Sequence, residues 1–215
     1  MNQTKPIIHI ATGGNLDVLP RLAEGDIVIG VDGGAIGLLE AGIVPDIALG
    51  DFDTIKEVGI KRLLEAGVAM EQFPAQKDLT DTEIALQKAL ELAPSAIYLY
   101  GAMGSRMDHT LANLQLLYTA HQAGVWMQLE SKRNRVMLLS ERFPSLKIAL
   151  DDYRFMSLLP LTLEVTGIHL EGFRYPLHDA TIKMGMAIGV SNELQTPTGT
   201  ITIGQGSLYV MCTND

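Results

Sequence analysis

Hydrophobic positions follow two different patterns along the chain, and the first extends to about Ser131. Here short β-branched or apolar runs alternate with segments whose apolar residues recur at helical spacing, as Leu86, Ala89 and Leu90 do. Near-continuous apolar strands alternating with helices predict a parallel sheet covered on both faces. The predicted strands are 7–11, 27–31, 46–50, 68–73, 96–100 and 125–129, and a helix is predicted over 16–25 between the first two.

The second pattern begins after about Asn134, where the helical spacing fades and short apolar runs are separated by Gly, Pro and Asn turns. Such spacing predicts an antiparallel sandwich or barrel. The predicted strands are 135–140, 153–161, 161–170, 181–191, 199–204 and 207–211. We therefore expect an α/β domain with a mostly parallel sheet flanked by helices over 1–133, followed by an all-β sandwich over 134–215.

Composition narrows the classes of function. Of the 215 residues, 47% are hydrophobic and 19% charged, which indicates a globular chain. A net charge of −9 disfavours a nucleic-acid partner or an anionic membrane surface. The single Cys212 excludes an internal disulfide, and the five histidines show no zinc-binding spacing. No signal-peptide pattern and no membrane-spanning apolar run occur, so we expect a cytoplasmic protein.

Polar, Gly-rich clusters follow the carboxyl ends of five predicted strands. In an open α/β sheet these strand ends share one edge, and ligands bind at that edge. Clusters far apart in sequence are therefore predicted to converge on one crevice. They are TGGN at 12–15, DGG at 32–34, GDFD at 50–53, PAQKDLTD at 74–81 and GAMGSRMDH at 101–109.

The GDFD cluster places Asp51 and Asp53 directly after a buried strand. In extended backbone, carboxylates two residues apart project to the same side and repel each other unless a cation lies between them. Mg²⁺ takes oxygen ligands and commonly uses one or two carboxylates together with substrate phosphates. The alternative is a turn in which Asp53 caps a helix that begins near Thr54.

The next two clusters each combine a helix start with charged residues. Thr80 and Glu83 form a T-x-x-E capping box, which explains both without a ligand. In GAMGSRMDH, the Arg106 guanidinium suits phosphate, and Asp108 is a possible helix cap. The alternatives are a solvated helix start and a tight βα turn in which Arg106 pairs with Asp108. No Walker A motif occurs, so a nucleotide would not be held by a P-loop.

In their order and spacing, these motifs resemble those of the thiamine pyrophosphokinase family. The resemblance extends from Ala11 to about Met211 and rests on TGGN, VDGGA, PDIALGDFDTI, QKDLTDTEIAL, GSRMDHTLAN and a late GVSNEL…GTITI. It implies an α/β nucleotide-binding domain followed by a thiamine-binding β-sandwich, in a homodimer. It also implies Mg²⁺-dependent transfer of the diphosphoryl group of ATP to the thiamine hydroxyl, giving thiamine diphosphate and AMP.

The resemblance also assigns roles to individual residues. As catalytic residues it implies Asp51, Asp53, Asp81, Arg106 and Asp108, of which the first three would hold Mg²⁺. Around ATP it implies Gly13, Gly14, Asn15, Asp32, Gly33, Lys77, Asp78, Thr80, Gly101, Gly104, His109 and Asn113. For thiamine it implies Ser191, Asn192 and Tyr209. From the residues alone, the simpler interpretations are turn residues for Ser191 and Asn192 and a strand aromatic for Tyr209.

Two other functions remain open from the residues. A metal-dependent phosphohydrolase would use the same aspartates with water as acceptor. A non-catalytic nucleotide or thiamine sensor could use the same fold, because fold does not fix function.

Overall fold

The computed structural model describes residues 5–53, 55–74, 78–149 and 153–215, and these contain four helices and thirteen strands. The chain divides into two compact units, Met1–Lys132 and Arg133–Asp215. The first unit contains both helices and strands, and the described elements of the second are strands. Within the described residues, no helix combines the length and the apolar character needed to cross a membrane.

The first unit alternates strands and helices along the chain. Its elements are β1 (Ile7–Ala11), β2 (Ile27–Val31), α1 (Gly33–Glu40), β3 (Ile47–Gly50), α2 (Glu57–Glu65), β4 (Ala69–Gln72), α3 (Asp81–Glu91), β5 (Ala96–Tyr100), α4 (Met107–Gln122) and β6 (Trp126–Glu130). The strands lie in the order β4-β3-β2-β1-β5-β6, and every neighbouring pair is parallel. The predicted parallel sheet is confirmed.

The core of this unit comes from the central strands and the helix faces that pack on them. Ile8, Ile29 and Leu99 are fully buried, as the continuous apolar runs predict for strands covered on both faces. Leu38 of α1 and Leu117 of α4 are also fully buried. Strand order reverses between β1 and β5, since β2 to β4 extend to one side and β6 to the other. Such a reversal opens a crevice at the carboxyl ends of the strands.

The helix predicted over 16–25 is wrong, because those residues form turns and irregular chain. Pro20 lacks an N–H and pushes the preceding residue away from helical backbone. Side chains support the irregular path instead. Asp17 Oδ1 accepts the Lys132 amide at 3.0 Å, and Asp26 Oδ2 accepts the Ala23 amide at 2.8 Å.

The second unit contains β7 (Asn134–Ser140), β8 (Ser145–Ala149), β9 (Phe155–Pro160), β10 (Glu164–Glu171), β11 (Leu177–Lys183), β12 (Thr198–Thr202) and β13 (Ser207–Thr213). They lie in two series, β7-β13-β9 and β11-β10-β12-β8. Each neighbouring pair within a series is antiparallel, as the predicted β-sandwich class requires.

One predicted strand in this unit ends earlier than expected, and one strand was missed. The predicted strand over 181–191 is observed as β11, which ends at Lys183 because Gly185 turns the chain at φ +90° and the Met186 amide bonds back to the Lys183 carbonyl at 2.9 Å. Strand β8 was not predicted. It lies at the end of its series and buries only Ile148 among its five residues, so its apolar pattern is weak.

Candidate active site

A cavity of about 590 Å³ lies in the first unit at the carboxyl ends of β1, β2 and β5. The turns after these strands and the first turns of α3 and α4 line it. The lining residues are Thr12, Gly13, Gly14, Val31, Asp32, Gly33, Thr80, Asp81, Thr82, Gly101, Ala102, Gly104, Ser105, Arg106, His109, Thr110 and Asn113. The structure thus brings four of the five predicted clusters together at the crevice where the strand order reverses.

Close backbone packing forms the floor of the cavity. A Cβ added at Gly14 would lie 2.0 Å from the Gly101 carbonyl oxygen, so the turns after β1 and β5 touch only because residue 14 has no side chain. The Thr12 amide bonds the Tyr100 carbonyl at 3.0 Å and ties the same two turns together. Only main chain fits at this contact, which leaves amide and carbonyl groups as the cavity floor.

Three helices begin at the cavity, and their first turns differ in how they are capped. Thr80 Oγ1 accepts the Glu83 amide at 3.2 Å, which confirms its predicted role as the cap of α3. The N-cap residues of α1 and α4, Asp32 and Arg106, make no side-chain capping bond. Uncapped N-terminal amides favour an anion, because their N–H groups and the helix dipole both point toward it.

Asp32 occupies a strained position between α1 and the GDFD cluster. Its backbone has φ 45° and ψ −122°, a conformation that L-residues seldom adopt. Its Oδ1 accepts the Phe52 amide at 3.1 Å. Burial raises the pKa of the Asp32 carboxyl to about 6, and the charges of Asp81, Asp51 and Asp53 add to the increase. Three further carboxylates therefore lie within electrostatic reach of Asp32.

The backbone between Asp51 and Asp53 differs from the extended form that the pattern suggested. Phe52 has φ 59°, and the Asp53 amide bonds Asp51 Oδ1 at 3.0 Å, which makes a turn. Helix α2 begins only at Glu57, so the predicted cap by Asp53 is wrong, and Thr54 lies outside the described residues. A positive φ at Phe52 could not be predicted, since bulky residues seldom adopt it.

The aspartates do not form a ready-made metal site. Across the described residues, no three His, Cys, Asp or Glu side chains lie together as a group that could hold a metal ion. Asp81 lines the cavity, whereas Asp51 and Asp53 lie outside its lining. The carboxylates do supply the oxygen donors that Mg²⁺ prefers. Their negative charges repel the Asp32 carboxylate, and a bound cation would reduce that repulsion.

Arg106 and Asp108 form a two-bond ion pair at the start of α4. Arg106 Nη2 donates to Asp108 Oδ2 at 2.6 Å, and Nε donates to Oδ1 at 3.3 Å. The pair confirms the turn interpretation of this cluster and holds the pKa of the Asp108 carboxyl below its usual range. Arg106 is nevertheless 69% exposed at its side chain and lines the cavity, so its guanidinium remains accessible to a ligand.

Two residues of α4 hold the turn that carries Arg106. Asn113, which is buried, donates from Nδ2 to the Ala102 carbonyl at 2.8 Å. Thr110 Oγ1 accepts the Gly104 amide and donates to the Arg106 carbonyl, each at 3.2 Å. Sequence reasoning missed Thr110, because a threonine inside a helical pattern carries no sign of a contact six residues back.

Other predicted site residues lie elsewhere. Asn15, Asp78 and Asp108 are exposed and do not line the cavity, whereas Lys77 falls outside the described residues.

The predicted thiamine residues belong to the second unit. Asn192 is 4% exposed. Its Oδ1 accepts the amides of Tyr175 and Glu193 at 3.0 and 2.9 Å, and its Nδ2 donates to the Tyr175 carbonyl at 2.8 Å. Ser191 is exposed at φ 59°. Tyr209 is half-buried in β13, and burial raises the pKa of its phenol. These three hydrogen bonds satisfy the buried Asn192 side chain and indicate that its role is structural.

The fold defines an α/β unit with a crevice at the carboxyl ends of its parallel strands, followed by a β-rich unit. Two family models match the chain in this order. The model described as the thiamin pyrophosphokinase catalytic domain matches residues 20–129, and the vitamin B1 binding domain of the same enzyme matches residues 145–208.

One relative matches nearly the whole chain. The thiamine pyrophosphokinase of Bacillus subtilis (strain 168) is 35% identical over 215 residues, which is 97% of this chain and 99% of the relative. The chain belongs to the thiamin pyrophosphokinase family.

Solved structures show the same likeness. The Bacillus subtilis enzyme superposes with a TM-score of 0.90 at 35% identity, covering 97% of this chain and 99% of the other. The Geobacillus thermodenitrificans thiamin pyrophosphokinase gives 0.85 at 34% identity over 97% and 98%. The yeast enzyme gives 0.79 at 14% identity over 99% and 88%, which shows that the fold is shared.

Proposed function

We propose that this protein is an enzyme that transfers the diphosphoryl group of ATP to the hydroxyl of thiamine, giving thiamine diphosphate and AMP. The observation that carries the proposal is the cavity in the family's catalytic domain, where two uncapped helix N-termini and Arg106 meet. In the reaction the thiamine oxygen bonds to the β-phosphorus and the bond from that phosphorus to the α–β bridging oxygen breaks. The bridging oxygen leaves with AMP, and the hydroxyl proton is released to solvent.

Main-chain groups and Arg106 would bind the phosphates. The N–H groups at Gly33 and at the start of α4 are oriented for an anion before it arrives, so little reorganisation is needed on binding. Arg106 would exchange part of its pairing with Asp108 for phosphate oxygens, which its planar guanidinium fits well. Gly13, Gly14 and Gly101 would present main-chain groups to the nucleotide, because the side-chain position of Gly14 is occupied by the Gly101 main chain. Phosphoryl transfer depends mainly on such positioning and charge stabilisation.

The aspartates would hold Mg²⁺ together with the phosphates. Asp51, Asp53 and Asp81 are the proposed ligands, and the repulsion that they exert on Asp32 supports a cation among them. When bound, the ion would neutralise phosphate charge that this acidic surface would otherwise repel. The phosphates themselves would complete a ligand set that the protein side chains leave incomplete.

For thiamine we propose the second unit, over residues 134–215, with 1–133 as the nucleotide-binding catalytic domain. The match to the vitamin B1 binding model supports this division. Ser191 is the more available donor, because its side chain is exposed while Asn192 is already hydrogen-bonded. Asn192 would then shape the thiamine site and Tyr209 would offer a half-buried ring.

We further propose that the protein is a cytoplasmic homodimer. The family resemblance supports the dimer, and sedimentation velocity of the purified protein would test it. A single species at the mass of one chain across micromolar concentrations would contradict the dimer.

Product analysis tests the reaction. The purified protein is incubated with ATP and Mg²⁺, with and without thiamine, and the products are separated by chromatography. Thiamine diphosphate and AMP should form in equal amounts, only when thiamine is present. ADP, or AMP formed without thiamine, would instead indicate a phosphohydrolase, and binding without turnover would indicate a sensor.

A further inference from the structure

Asp32 occupies a backbone conformation for which glycine is better suited. At φ 45° and ψ −122° an L-side chain costs about 1–3 kcal/mol. The chain continues with Gly33 and Gly34, so glycine is used freely in this turn except at the strained position. A strained aspartate between two elements of a site suggests that its side chain does something that glycine could not do.

Space for the Asp32 carboxylate exists only because residue 50 is glycine. A Cβ added at Gly50 would lie 1.9 Å from Asp32 Oδ1 and 2.5 Å from its carboxyl carbon. The carboxylate therefore lies directly against the main chain at the end of β3. Asp32 is also tied there through its own amide, which bonds the Leu49 carbonyl at 2.9 Å.

The partner of this carboxylate is the amide of the residue between Asp51 and Asp53. Phe52 donates its N–H to Asp32 Oδ1 at 3.1 Å. The Phe52 ring is 5% exposed and belongs to the apolar cluster that contains Ala35 and Leu63. Phe52 is thus held at its ring by the core and at its amide by Asp32, although its φ of 59° is unfavourable. Held in this way, it keeps the flanking aspartates in one orientation.

We propose that Asp32 is a positioning residue that fixes the turn 51–53 through the Phe52 amide, and so orients Asp51 and Asp53 toward the cation and phosphates. The proposal rests on the proposed function. It assigns Asp32 an action through another residue, whereas the family resemblance implies direct contact with the nucleotide. It requires a hydrogen-bond acceptor at residue 32 and does not require a charge.

The test compares Asp32→Asn with Asp32→Gly. Both remove the charge, but Asn keeps an oxygen at the same position and tolerates positive φ, whereas Gly relieves the strain and removes the acceptor. Asp46→Asn is the matched control. Asp46 directly precedes β3 at its N-terminal end. Its carboxylate also accepts a hydrogen bond from a backbone amide, that of Val28, at 2.8 Å.

Two readouts are used. The first is hydrogen exchange of the Phe52 amide by NMR in the substrate-free protein, which does not depend on any reaction. The second is the Mg²⁺ concentration that gives half the maximal rate of thiamine diphosphate formation.

For Asp32→Gly we expect at least tenfold faster Phe52 exchange and about a tenfold higher Mg²⁺ requirement, as for other groups that orient metal ligands. Asp32→Asn should stay within about threefold of wild type in both, as should Asp46→Asn. Equal losses for Asn and Gly would overturn the proposal in favour of a charge role. Unchanged exchange and Mg²⁺ requirement in Asp32→Gly would also overturn it.

A second variant keeps the test decisive if Asp32→Gly does not fold. Gly50→Ala keeps the Asp32 charge but displaces its carboxylate and strains the backbone at φ +148°, so it should produce at least the same rise in exchange and in Mg²⁺ requirement. A folded Gly50→Ala protein with wild-type values would contradict the proposal. If the wild-type protein forms no thiamine diphosphate, the proposed function fails while the exchange measurement still decides whether Asp32 holds Phe52.

Discussion

The two units of this protein carry charge and polar groups in different ways. Met1–Lys132 contains 17 acidic and 9 basic side chains, whereas Arg133–Asp215 contains 8 and 7, so nearly all of the net negative charge lies in the first unit. The same unit holds the cavity with its glycine floor, its uncapped helices and the strained Asp32. If this acidic unit binds phosphates, as we propose, it needs positive charge nearby, which the Arg106 guanidinium, the partial charges of main-chain N–H groups and Mg²⁺ would supply.

The two units also differ in whether their predicted site residues are already satisfied by protein contacts. Asn192 is buried and makes three side-chain hydrogen bonds, so its polar groups are already satisfied. In the first unit, Asp32 combines strain, burial and the repulsion of neighbouring carboxylates. A buried polar side chain whose hydrogen bonds are satisfied indicates a structural role. Backbone strain and charge repulsion that the folded state tolerates indicate a functional site. This difference predicts which substitutions reduce activity and which reduce stability.

The largest expected effect is on activity, from Asp53→Asn. Removing one proposed Mg²⁺ ligand should lower the turnover rate by roughly 100-fold, in the range found when an electrostatic contact to the transition state is lost. Thermal unfolding should change little, because Asp53 is exposed. Asp179→Asn in the second unit is the control, since Asp179 is likewise exposed and should keep wild-type turnover. Wild-type turnover of Asp53→Asn at saturating Mg²⁺ would contradict the metal assignment.

Asn192→Ala should act mainly on stability. The substitution leaves the Tyr175 and Glu193 amides without their acceptor and removes a buried side chain, which costs about 2–3 kcal/mol. Urea unfolding measures this loss. Ser191→Ala at the neighbouring exposed position should leave the free energy of unfolding within about 0.5 kcal/mol of wild type and raise KM for thiamine. Equal free energies of unfolding for the two variants would contradict the structural role of Asn192.

Arg106 substitutions separate phosphate binding from stability. Arg106→Ala should raise KM for ATP by about tenfold, because a charge-assisted contact to phosphate contributes roughly 1.5–3 kcal/mol. Its exposed pair with Asp108 should contribute little to the free energy of unfolding. Arg106→Lys keeps the charge but loses the planar fork, so we expect an intermediate KM. An unchanged KM in Arg106→Ala would place the phosphates elsewhere.

The smallest expected effect is the pH dependence that Asp32 gives to stability. Its pKa in the folded protein is raised from 3.8 to about 6, so the folded state binds the proton more tightly than the unfolded chain does. The free energy of unfolding should therefore fall as pH rises from 3.8 to about 6 and stay level above that.

Asp32→Asn removes this titration. The variant should be more stable than wild type above pH 6 by about 1 kcal/mol after allowance for solvent screening, or about 2–4 °C in Tm. Melting curves of both proteins in the absence of ligands from pH 4 to 7 measure the difference. A difference in Tm that does not change with pH would contradict the assignment of the raised pKa to Asp32.

Elements with strong apolar periodicity were predictable, and those set by a few local contacts were not. Strands β1, β2 and β5 are apolar runs in which most residues are buried, so their pattern gives their position and the crevice at their ends. Strand β8 buries one residue in five, which leaves too little pattern for prediction. The irregular path over 16–25 depends on contacts that sequence spacing does not reveal, such as the one between Asp17 and Lys132.

The site shows the same limit. Turn chemistry identified the Thr80 cap, because its partner lies three residues away along one helix. The Asp32 contact to Phe52 joins residues twenty positions apart, and the positive φ of Phe52 follows from core packing, not from its own preference. Thr110 is a comparable case, since its role depends on where the preceding turn lies. The sequence alone did not predict these contacts, because they depend on how the tertiary fold places distant segments.

Hydrogen exchange of the wild-type protein, with and without Mg²⁺ and a non-hydrolysable ATP analogue, tests most directly whether the phosphate chemistry lies in the first unit. We expect slower exchange in peptides that cover 12–14, 32–34 and 101–106, which contribute residues to the cavity lining. Slower exchange confined to residues 133–215, with no change at those three turns, would contradict it.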